Sequence, residues 1–519
     1  MRWSAALQAL RESPAGGTIV FEASGNGREK DPVISGVFSD SRKILPGSIF
    51  CCIAGERYDG HEHAAAAEKA GAAALVCERP VKTNLPAVFV ESTREVMGEL
   101  ASAVYGNPAS KLFMAGVTGT NGKSTTTYVL RSILQAAGIK TGLLGSVVES
   151  DGAREKDAER TTPESCDIQR QLAAMVKNGC GACVMEASSH GLYLGRLSGC
   201  LFDAAVFTNL HPEHLDFHEN MENYFQAKRL LFTKYSKGTR AAAANGDDLY
   251  GKRLLDELAG LPNVREFRMS DAADTRLSLE GTSFTLRAEG SAFPPLSLES
   301  PLVGNFNVAN VLAAVAALRG NEKIGDDAIV RGVRDIPQVP GRLERHGIPN
   351  GACCVIDFAH TPAALRSVLS AAREFCCGRL ISLFGHGGGR YPSNRPALGE
   401  TAAALADLVI VTMDNPRDEN PEAIAESIVQ GIRGKGTRYR VILDRKEAVF
   451  TALSLMGPGD VLVLSGKGPE KFLTVKDEKI PYNDAETVEE WIARALEPTR
   501  GAPGPKPLSL TGDRLAGGR

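Results

Sequence analysis

The feature that most constrains the fold is a glycine-rich loop between an apolar strand and a helix. The strand is predicted from Leu112 to Val117, and the loop Gly-Thr-Asn-Gly-Lys-Ser runs from Gly119 to Ser124. The segment after the loop has apolar residues at helical spacing: Val129, Leu130, Ile133 and Leu134. Such a unit needs a sheet with helices packed on it, so the pattern predicts a mostly parallel α/β domain.

The same loop predicts a site for a nucleoside triphosphate. Glycines let backbone N–H groups close around phosphate oxygens, and the helix N-terminus adds a partial positive charge. Lys123 would reach the outer phosphates, and Ser124 would bind magnesium. The common pattern has a glycine where this chain has Val117, with Gly116 one residue earlier. The predicted nucleotide-binding residues are Gly119, Thr120, Asn121, Gly122, Lys123, Ser124 and Thr125.

Regular alternation of strands and helices predicts a second parallel sheet after about residue 339. Strands are expected at 354–356, 380–384, 408–412, 440–443 and 461–464, with helices beginning near Thr361, Pro396, Pro421 and Lys446. Parallel strands joined by helices have right-handed crossovers and bind ligands at their carboxyl ends. We therefore expect an α/β chain whose central domain is of the phosphate-loop type and whose last domain is doubly wound.

The length of 519 residues fits about three domains, at roughly 100–200 residues each. We predict an N-terminal domain at 1–110, a central domain at 111–338 with a β-rich insertion near 277–298, and a C-terminal domain at 339–498. The tail at 499–519 is rich in Gly and Pro and has no apolar periodicity, so it is predicted to be disordered.

Composition excludes several classes of protein. The 59 Lys and Arg nearly balance the 62 Asp and Glu, so no overall positive field favours nucleic acid or an anionic membrane. There is no membrane-length apolar run and no signal-peptide core, which predicts a cytoplasmic protein. Cysteine pairs in apolar runs are expected to be buried thiols rather than a disulfide framework; they are Cys51–Cys52, Cys353–Cys354 and Cys376–Cys377.

Ionisable residues follow two further strands of the central domain. Glu186 closes the strand that ends Val-Met-Glu, and His214 belongs to a run that also contains His211 and His218. Strand ends in the same sheet as a phosphate loop are where a second metal ion or a substrate oxygen would be held. For each histidine taken alone, the alternative to binding a metal ion or the substrate is a purely structural role.

These segments together resemble the ordered motif series of the Mur ligase family, over about residues 40–470. The segments are Gly116–Thr127, Thr161–Pro163, Glu186–Leu192, His214–Asp216, Tyr224–Lys228, Asn305–Asn310, Gly341–Arg342 and Asp357–Pro362. Asp40-Ser41-Arg42 and Asp414-Asn415-Pro416-Arg417 resemble members that add the third amino acid, to UDP-N-acetylmuramoyl-L-alanyl-D-glutamate.

The resemblance implies a mechanism. ATP would phosphorylate the D-glutamate γ-carboxylate, and the incoming amine would attack the acyl phosphate, in a reaction that needs cations to stabilise negative charge. The implied catalytic residues are Lys123, Glu186, His214, Lys228 and Arg342. The implied magnesium ligands are Ser124, Glu186, His214 and Lys228 as a carbamate; without the resemblance, a solvated helix lysine is the simpler interpretation of Lys228.

The resemblance also implies the ligand contacts. Asn307 and Asn310 would face adenine, and Asp357 the ribose. The UDP-muramoyl peptide would bind Ser41, Thr161, Thr162, Ser189 and Arg196. The incoming amino acid would bind Arg390, Asp414, Asn415, Arg417, Gly466 and Glu470.

That amino acid is predicted to be meso-diaminopimelate, since an arginine at 417 can pair with its extra carboxylate. The alternatives are L-lysine or another diamino acid as substrate, and a turn-capping role for Arg417 before the helix at Pro421. Two departures from the family pattern fall near this site. Pro469 stands where a histidine is usual, and no acidic residue directly precedes Arg390.

Two competing hypotheses remain. A folylpolyglutamate synthase-like ligase shares the phosphate loop but usually lacks a separate N-terminal uridine-nucleotide domain. A nucleotide-binding scaffold subunit need not keep Lys123, Glu186, His214 and Lys228 together. We expect a monomeric enzyme.

Overall fold

The computed structural model describes residues 1–23, 31–55, 58–278, 280–287 and 293–496, apart from the side chains of 238–240. The described residues form two compact units, which divide between Arg342 and Leu343. The tail expected to be disordered from Thr499 lies outside the described residues.

In the described residues, the first unit contains three sheets and the helices packed on them. Its helices are α1 (Trp3–Arg11), α2 (Ala64–Lys69), α3 (Thr93–Val104), α4 (Lys123–Ala136), α5 (Ser165–Lys177), α6 (Ser189–Tyr193), α7 (Leu215–His218), α8 (Met221–Thr233), α9 (Leu249–Glu257), α10 (Asn305–Leu318) and α11 (Asp326–Arg334). Its strands are β1 (Ile19–Ala23), β2 (Gly36–Phe38), β3 (Ser48–Cys51), β4 (Ala72–Cys77), β5 (Ala87–Val90), β6 (Phe113–Thr118), β7 (Thr141–Leu144), β8 (Val148–Ser150), β9 (Glu155–Asp157), β10 (Ala182–Glu186), β11 (Phe202–Phe207), β12 (Ser236–Asn245), β13 (Val264–Phe267), β14 (Ala272–Leu277), β15 (Thr282–Leu286) and β16 (Leu296–Ser300).

The central sheet of this unit positions the phosphate loop. Its eight strands have the order β13-β12-β11-β6-β10-β7-β8-β9, and the pairs from β13 to β7 are all parallel. The strand before the loop, β6, therefore lies between β10, which ends at Glu186, and β11, which ends at Phe207. Because parallel strands share one carboxyl edge, the segments after these three strands come together.

Both faces of the central sheet are covered by apolar helix faces. Helices α4, α10 and α11 contribute to one core and α5, α8 and α9 to the other. The residues predicted on one face of α4 are buried: Val129, Leu130, Ile133 and Leu134. The other two sheets are smaller: the N-terminal sheet has the order β1-β5-β4-β3-β2, and the predicted β-rich insertion is an antiparallel sheet of β14, β15 and β16.

The second unit is doubly wound, as predicted. Its helices are α12 (Pro362–Phe375), α13 (Asn394–Leu405), α14 (Pro421–Ile432), α15 (Arg445–Leu455) and α16 (Asp484–Leu496). Its strands are β17 (Glu344–Gly347), β18 (Cys353–Asp357), β19 (Leu380–Phe384), β20 (Leu408–Val411), β21 (Arg438–Val441), β22 (Val461–Ser465), β23 (Phe472–Val475) and β24 (Glu478–Pro481). The six-stranded sheet has the order β17-β18-β22-β19-β20-β21, and only β17 pairs antiparallel.

Two details of the sequence prediction were wrong. Strand β21 begins at Arg438 rather than at 440, because it is a largely exposed edge strand whose first residues carry no apolar signal. Cys376 is only half-buried and Cys377 is exposed, since they lie in the turn between α12 and β19. The other nine cysteines are buried, and all eleven are free thiols.

None of the helices in the described part of the chain is both long and apolar enough to span a membrane.

The packing of α11 on α4 gives a stability prediction. A Cβ atom at Gly332 would lie 2.4 Å from Cα of Ile133, so Gly332→Ala forces the two helices apart. We expect a loss of about 1–3 kcal/mol in the free energy of unfolding, measured by urea denaturation. Gly17→Ala is the control because nothing lies within 4 Å of its Cβ position. Equal denaturation curves for the two variants would contradict the prediction.

Candidate active site

The phosphate loop connects β6 to α4 and depends on two glycines. Gly119 has φ 147° and Gly122 has φ 86°, values that residues with side chains rarely adopt. A Cβ atom would lie 1.9 Å from Thr208 Oγ1 at the first position and 2.3 Å from Asn310 Oδ1 at the second. Both positions therefore require glycine, first because of the backbone conformation and second because there is no space for a side chain.

The residues after β11 hold the loop by hydrogen bonds. Thr208 Oγ1 donates to the carbonyl of Asn121 at 2.6 Å, and the Asn121 N–H donates to Asn209 Oδ1 at 2.9 Å. Helix α4 begins after Gly122 without a side-chain cap. Its first-turn N–H groups can therefore bind an anion, and Ser124 and Thr125 lie buried in that turn.

Lys123 folds back over the loop. Its Nζ donates to the carbonyls of Gly119 at 2.9 Å and Thr120 at 2.8 Å. Burial lowers the pKa of Lys123, the positive charge of Arg342 acts in the same direction, and the carboxylates of Glu186 and Glu213 oppose it. The ammonium thus lies where it can exchange carbonyl partners for phosphate oxygens.

Glu186 ends β10 and is 1% exposed. Its carboxylate accepts hydrogen bonds from Ser146 N at 2.8 Å and from Ser146 Oγ at 3.0 Å. Ser146 was missed in the sequence analysis. It follows β7, the neighbour of β10, so its position at the same sheet edge was the signal that could have found it.

The residues predicted to hold the UDP-linked substrate adjoin Glu186. Thr161 Oγ1 lies 3.0 Å from Ser146 Oγ, and Thr162 Oγ1 donates to the carbonyl of Glu186 at 2.9 Å. Arg196 Nη1 donates to the carbonyl of Thr162 at 3.1 Å. The structure brings these groups together in one network.

Two other predicted substrate residues lie in separate elements. Ser189 is buried at the start of α6. Ser41 begins a short 3₁₀ turn, Ser41–Lys43, whose N-cap is Asp40. The hydrogen bonds and charge of Arg42 lower the pKa of Asp40 to about 2, so the turn carries a carboxylate.

Three histidines near the loop have different environments. His214 is exposed and has φ 56°, and its ring centroid lies 4.8 Å from that of His190. His218 is 3% exposed, and burial lowers its pKa to about 4, so it is neutral. His211 is exposed and donates its backbone N–H to Thr120 Oγ1.

Lys228 is a buried lysine of α8, 1% exposed. Its Nζ donates to the carbonyl of Gly119 at 2.8 Å and lies 4.6 Å from the ring centroid of Tyr224. Burial and the charge of Lys123 hold the pKa of Lys228 well below its ordinary value. The alternative of a solvated helix lysine is wrong.

Among the described residues, no three His, Cys, Asp or Glu side chains converge as metal ligands. The oxygen-bearing side chains predicted as ligands, Ser124 and Glu186, are both buried in the first unit. Any divalent cation here would need further oxygens from elsewhere.

The residues predicted to bind adenosine use their polar atoms within the protein. Asn307 Nδ2 donates to the carbonyl of Val303 at 2.8 Å, and Asn310 Nδ2 donates to Asn307 Oδ1 at 3.0 Å. Asp357, in the second unit, accepts the backbone N–H of Leu343 at 3.0 Å and of Ala359 at 2.9 Å. Their contacts with a nucleotide stay predictions.

In the second unit, a buried lysine organises the residues predicted to bind the amino acid. Lys467 Nζ is fully buried and donates to Asn415 Oδ1 at 3.0 Å, to Glu470 Oε2 at 2.6 Å and to the carbonyl of Phe472. Asn415 Nδ2 also donates to Glu470 Oε2, at 2.9 Å, and Asp414 Oδ1 lies 3.9 Å from Lys467 Nζ.

Lys467 itself was missed, although it lies two residues beyond the end of buried strand β22. A lysine just after a fully buried strand was the signal, because its ammonium needs partners that the protein must supply.

Arg417 lies beside this cluster in a left-handed conformation, with φ 51°. Its Nη1 donates to the carbonyl of Gly388, and its backbone N–H donates to the carbonyl of Thr474 at 3.1 Å. Helix α14 is capped by Asn420, whose Oδ1 accepts from the first turn. Arg417 precedes this helix, inside the turn closed by the hydrogen bond from Glu419 N to the carbonyl of Pro416, so both its substrate-binding role and its turn-capping alternative stay predictions. Arg390 is exposed and lies outside the network.

The two glycine environments around α4 give a matched test. Gly122→Ala places a methyl group against Asn310 and the phosphate loop, whereas Gly138, with φ 80° after the same helix, has nothing within 4 Å of its Cβ position. We expect Gly122→Ala to reduce nucleotide-dependent turnover by about 100-fold or more, because the loop must move. Gly138→Ala should cost only about 1–2 kcal/mol of stability. Nucleotide binding by calorimetry and phosphate release would both be measured; a fully active Gly122→Ala variant would rule out this role for the loop.

Three family models match the chain. The Mur ligase middle domain matches residues 117–318, the Mur ligase glutamate ligase domain 341–468, and the Mur ligase family catalytic domain 33–105.

Individual relatives match nearly end to end. The UDP-N-acetylmuramoyl-L-alanyl-D-glutamate--2,6-diaminopimelate ligase 1 of Clostridium acetobutylicum is 40% identical, over 87% of this chain and 93% of its own length. The ligase of that name from Gloeobacter violaceus is 42% identical, over 89% and 94%. A solved structure of a UDP-N-acetylmuramoyl-L-alanyl-D-glutamate--2,6-diaminopimelate ligase superimposes with a TM-score of 0.65 at 30% identity, covering 89% of this chain and 95% of that chain. With this coverage and identity, the chain belongs to the Mur ligase family of ATP-dependent ligases.

Proposed function

We propose that this ligase adds meso-diaminopimelate to UDP-N-acetylmuramoyl-L-alanyl-D-glutamate, with ATP and Mg²⁺, in the cytoplasmic synthesis of peptidoglycan precursors. The observation that carries the proposal is the mixed-charge cluster of Asp414, Asn415 and Glu470 around the buried Lys467. Arg417 is joined to this cluster through Thr474, which accepts from the N–H of Arg417 and donates to Asn415 Oδ1. The curated relatives that match most of the chain are named as ligases of this substrate pair.

The cluster suits a zwitterionic side chain. The distal end of meso-diaminopimelate carries a carboxylate as well as an ammonium, whereas the distal end of lysine carries only an ammonium. Arg417 supplies a planar guanidinium that pairs well with a carboxylate. Both hydrogen bonds to the Glu470 carboxylate fall on Oε2, which leaves Oε1 and the carboxylate of Asp414 to accept the ligand's ammonium.

The phosphate loop and Lys123 provide for activation of the other substrate. The γ-phosphoryl group of ATP passes to the D-glutamate γ-carboxylate, and the P–O bond to ADP breaks. The incoming neutral amine then attacks the acyl carbon and loses one proton to solvent as the amide bond forms, and inorganic phosphate leaves with the C–O bond electrons. Lys123 and the N–H groups of the loop would balance the charge on the transferring group.

The residues present fit bound magnesium. Glu186 and Ser124 are buried oxygen donors, the class of ligand that magnesium prefers. Bound magnesium would neutralise charge on the phosphates, and His214 would lie in its surroundings. A lysine amine is not a ligand of this class, so Lys228 fits only after modification.

We propose that Lys228 is that modified residue. An unpaired ammonium is costly at 1% exposure, and its lowered pKa favours the neutral amine. The neutral amine can attack carbon dioxide and lose a proton, which gives a carbamate anion with two oxygen donors. This chemistry converts a buried group that cannot bind magnesium into one that can.

The remaining predicted contacts complete the proposal. Thr161, Thr162, Ser189, Arg196 and Ser41 would bind the UDP-muramoyl peptide, supported by the network that joins the first two to Glu186. Asn307, Asn310 and Asp357 would bind adenosine, Arg342 the transferring phosphate, and Arg390 and Gly466 the amino acid. We assign these roles to domains at 1–110, 111–338 and 339–498.

A phosphate-release assay tests the substrate assignment. The enzyme is supplied with ATP, UDP-N-acetylmuramoyl-L-Ala-D-Glu and each of meso-diaminopimelate, L-lysine and other diamino acids. We expect meso-diaminopimelate to be preferred and Arg417→Ala to reduce its kcat/KM about thirtyfold or more, from the loss of a desolvated charge pair worth about 2–5 kcal/mol. Arg433→Ala, which removes an exposed ion pair with Glu426, is the control. A wild-type preference for lysine would overturn the assignment.

The state of Lys228 has its own test. We expect Lys228→Ala to lose most activity, with partial recovery when a small carboxylic acid is added, because the acid replaces the missing oxygens. Lys234→Ala, at an exposed position just after the same helix, should stay active. Mass spectrometry under carbon dioxide should detect the carbamate, whereas electron density for a bare ammonium beside two bound magnesium ions would exclude it.

A further inference from the structure

The second unit contains a fully buried ion pair beside the residues assigned to amino-acid binding. Arg445 begins α15 and Asp484 begins α16, and both side chains are 0% exposed. Arg445 Nε donates to Asp484 Oδ1 at 2.9 Å, and its Nη2 donates to Oδ2 at 2.8 Å. Tyr482 Oη donates to the same carboxylate at 2.7 Å, so the acid is held from two sides.

The far side of the guanidinium binds two backbone carbonyls. Nη2 donates to the carbonyl of Ser465 at 3.0 Å, and Nη1 lies 3.4 Å from the carbonyl of Met413. These residues directly precede Gly466 and Asp414, two of the residues assigned to the amino-acid site. One side chain thus connects the backbone at both ends of the cluster.

The strands that carry these carbonyls are not neighbours. Ser465 ends β22, Met413 follows β20, and β19 lies between them in the sheet. Two strands separated by a third are roughly 9–10 Å apart, beyond the reach of a ladder hydrogen bond. Beyond the sheet edge the two segments are therefore joined by side chains: Lys467 reaches Asn415, and Arg445 reaches the backbone before each segment.

That separation matters because the segments approach closely. A Cβ atom at Gly466 would lie 2.7 Å from Asp414 Oδ2. Burial alone would lower the pKa of Arg445, but the charge and hydrogen bonds of Asp484 raise it, with a smaller contribution from Asp414. The Arg445 guanidinium is therefore a fixed cation, and its charge also attracts the carboxylate of Asp414.

Stability alone gives little reason for this pair. Replacing a buried ion pair with apolar side chains of similar volume is often neutral or stabilising, because both charges must be desolvated. A lysine would keep the charge but not the planar fork that serves a carboxylate on one side and carbonyls on the other.

We infer that Arg445, anchored by Asp484, is a positioning residue for the incoming amino acid: it sets the spacing between the Asp414 and Gly466 segments. The inference rests on the proposed function, since it assigns the cluster to amino-acid binding.

The test separates amino-acid binding from acyl-phosphate formation. Two variants are compared with the wild type: Arg445→Lys, and the apolar pair Arg445→Met with Asp484→Leu. The control is Lys446→Met, which removes the exposed Lys446–Glu490 pair between the same two helices. For each, KM and kcat for meso-diaminopimelate are measured, together with positional isotope exchange in bridge-labelled ATP with UDP-N-acetylmuramoyl-L-Ala-D-Glu and no amino acid.

We expect KM for the amino acid to rise about tenfold or more in both Arg445 variants, since small displacements of binding groups are costly. Isotope exchange should stay within about twofold of the wild type, and the control should match the wild type in both measurements.

A wild-type KM in the apolar pair variant would overturn the inference. A parallel fall in isotope exchange would also overturn it, as would failure of both Arg445 variants to fold. Either of these last two results would assign the ion pair to stability. If the wild type prefers another amino acid, the substrate proposal fails, but the same comparison with that amino acid still decides the role of Arg445.

Discussion

The contact on which the rest of the site depends is the close approach of the phosphate loop to Thr208 and Asn310. These side chains occupy the space that a Cβ atom would need at Gly119 and Gly122. Thr208 follows β11 and Asn310 belongs to α10, so the loop conformation is set by the sheet on one side and a packed helix on the other. The carbonyl of Gly119 in turn receives both Lys123 and Lys228. The positions of both lysines follow from this backbone.

Three lysines in the chain show how environment determines what a buried amine can do. Lys467 has three acceptors, including a carboxylate, and links the segments around it. Lys123 has only carbonyls, which it can exchange for phosphate oxygens. Lys228 has one carbonyl, an aromatic ring and a nearby cation, so its neutral form is favoured. Similar side chains thus differ in the partners that the protein supplies, which is the basis for proposing different roles for them.

Much of the fold could be predicted, because its signals are local. Strand β19 was predicted with its observed bounds, and the apolar face of α4 is buried as expected. The pattern of apolar residues failed to predict segments that are buried on one side only or are exposed. Strand β21 is an exposed edge strand, and Cys377 lies in a turn that its apolar neighbours do not reveal. Periodicity reports only the burial of a segment, so weakly buried segments are the ones it misplaces.

By itself, the sequence determined the glycine positions of the phosphate loop, the order of strands and helices in the second unit, and the residue types at the strand ends. Only the tertiary structure decided which polar atoms are already used. Asn307 and Asn310 bond within the protein, Lys467 links Asn415 to Glu470, and Arg445 spans two strands that are not adjacent. The physical reason is that hydrogen-bond partners distant in sequence are selected by packing, which leaves no periodic trace in the chain.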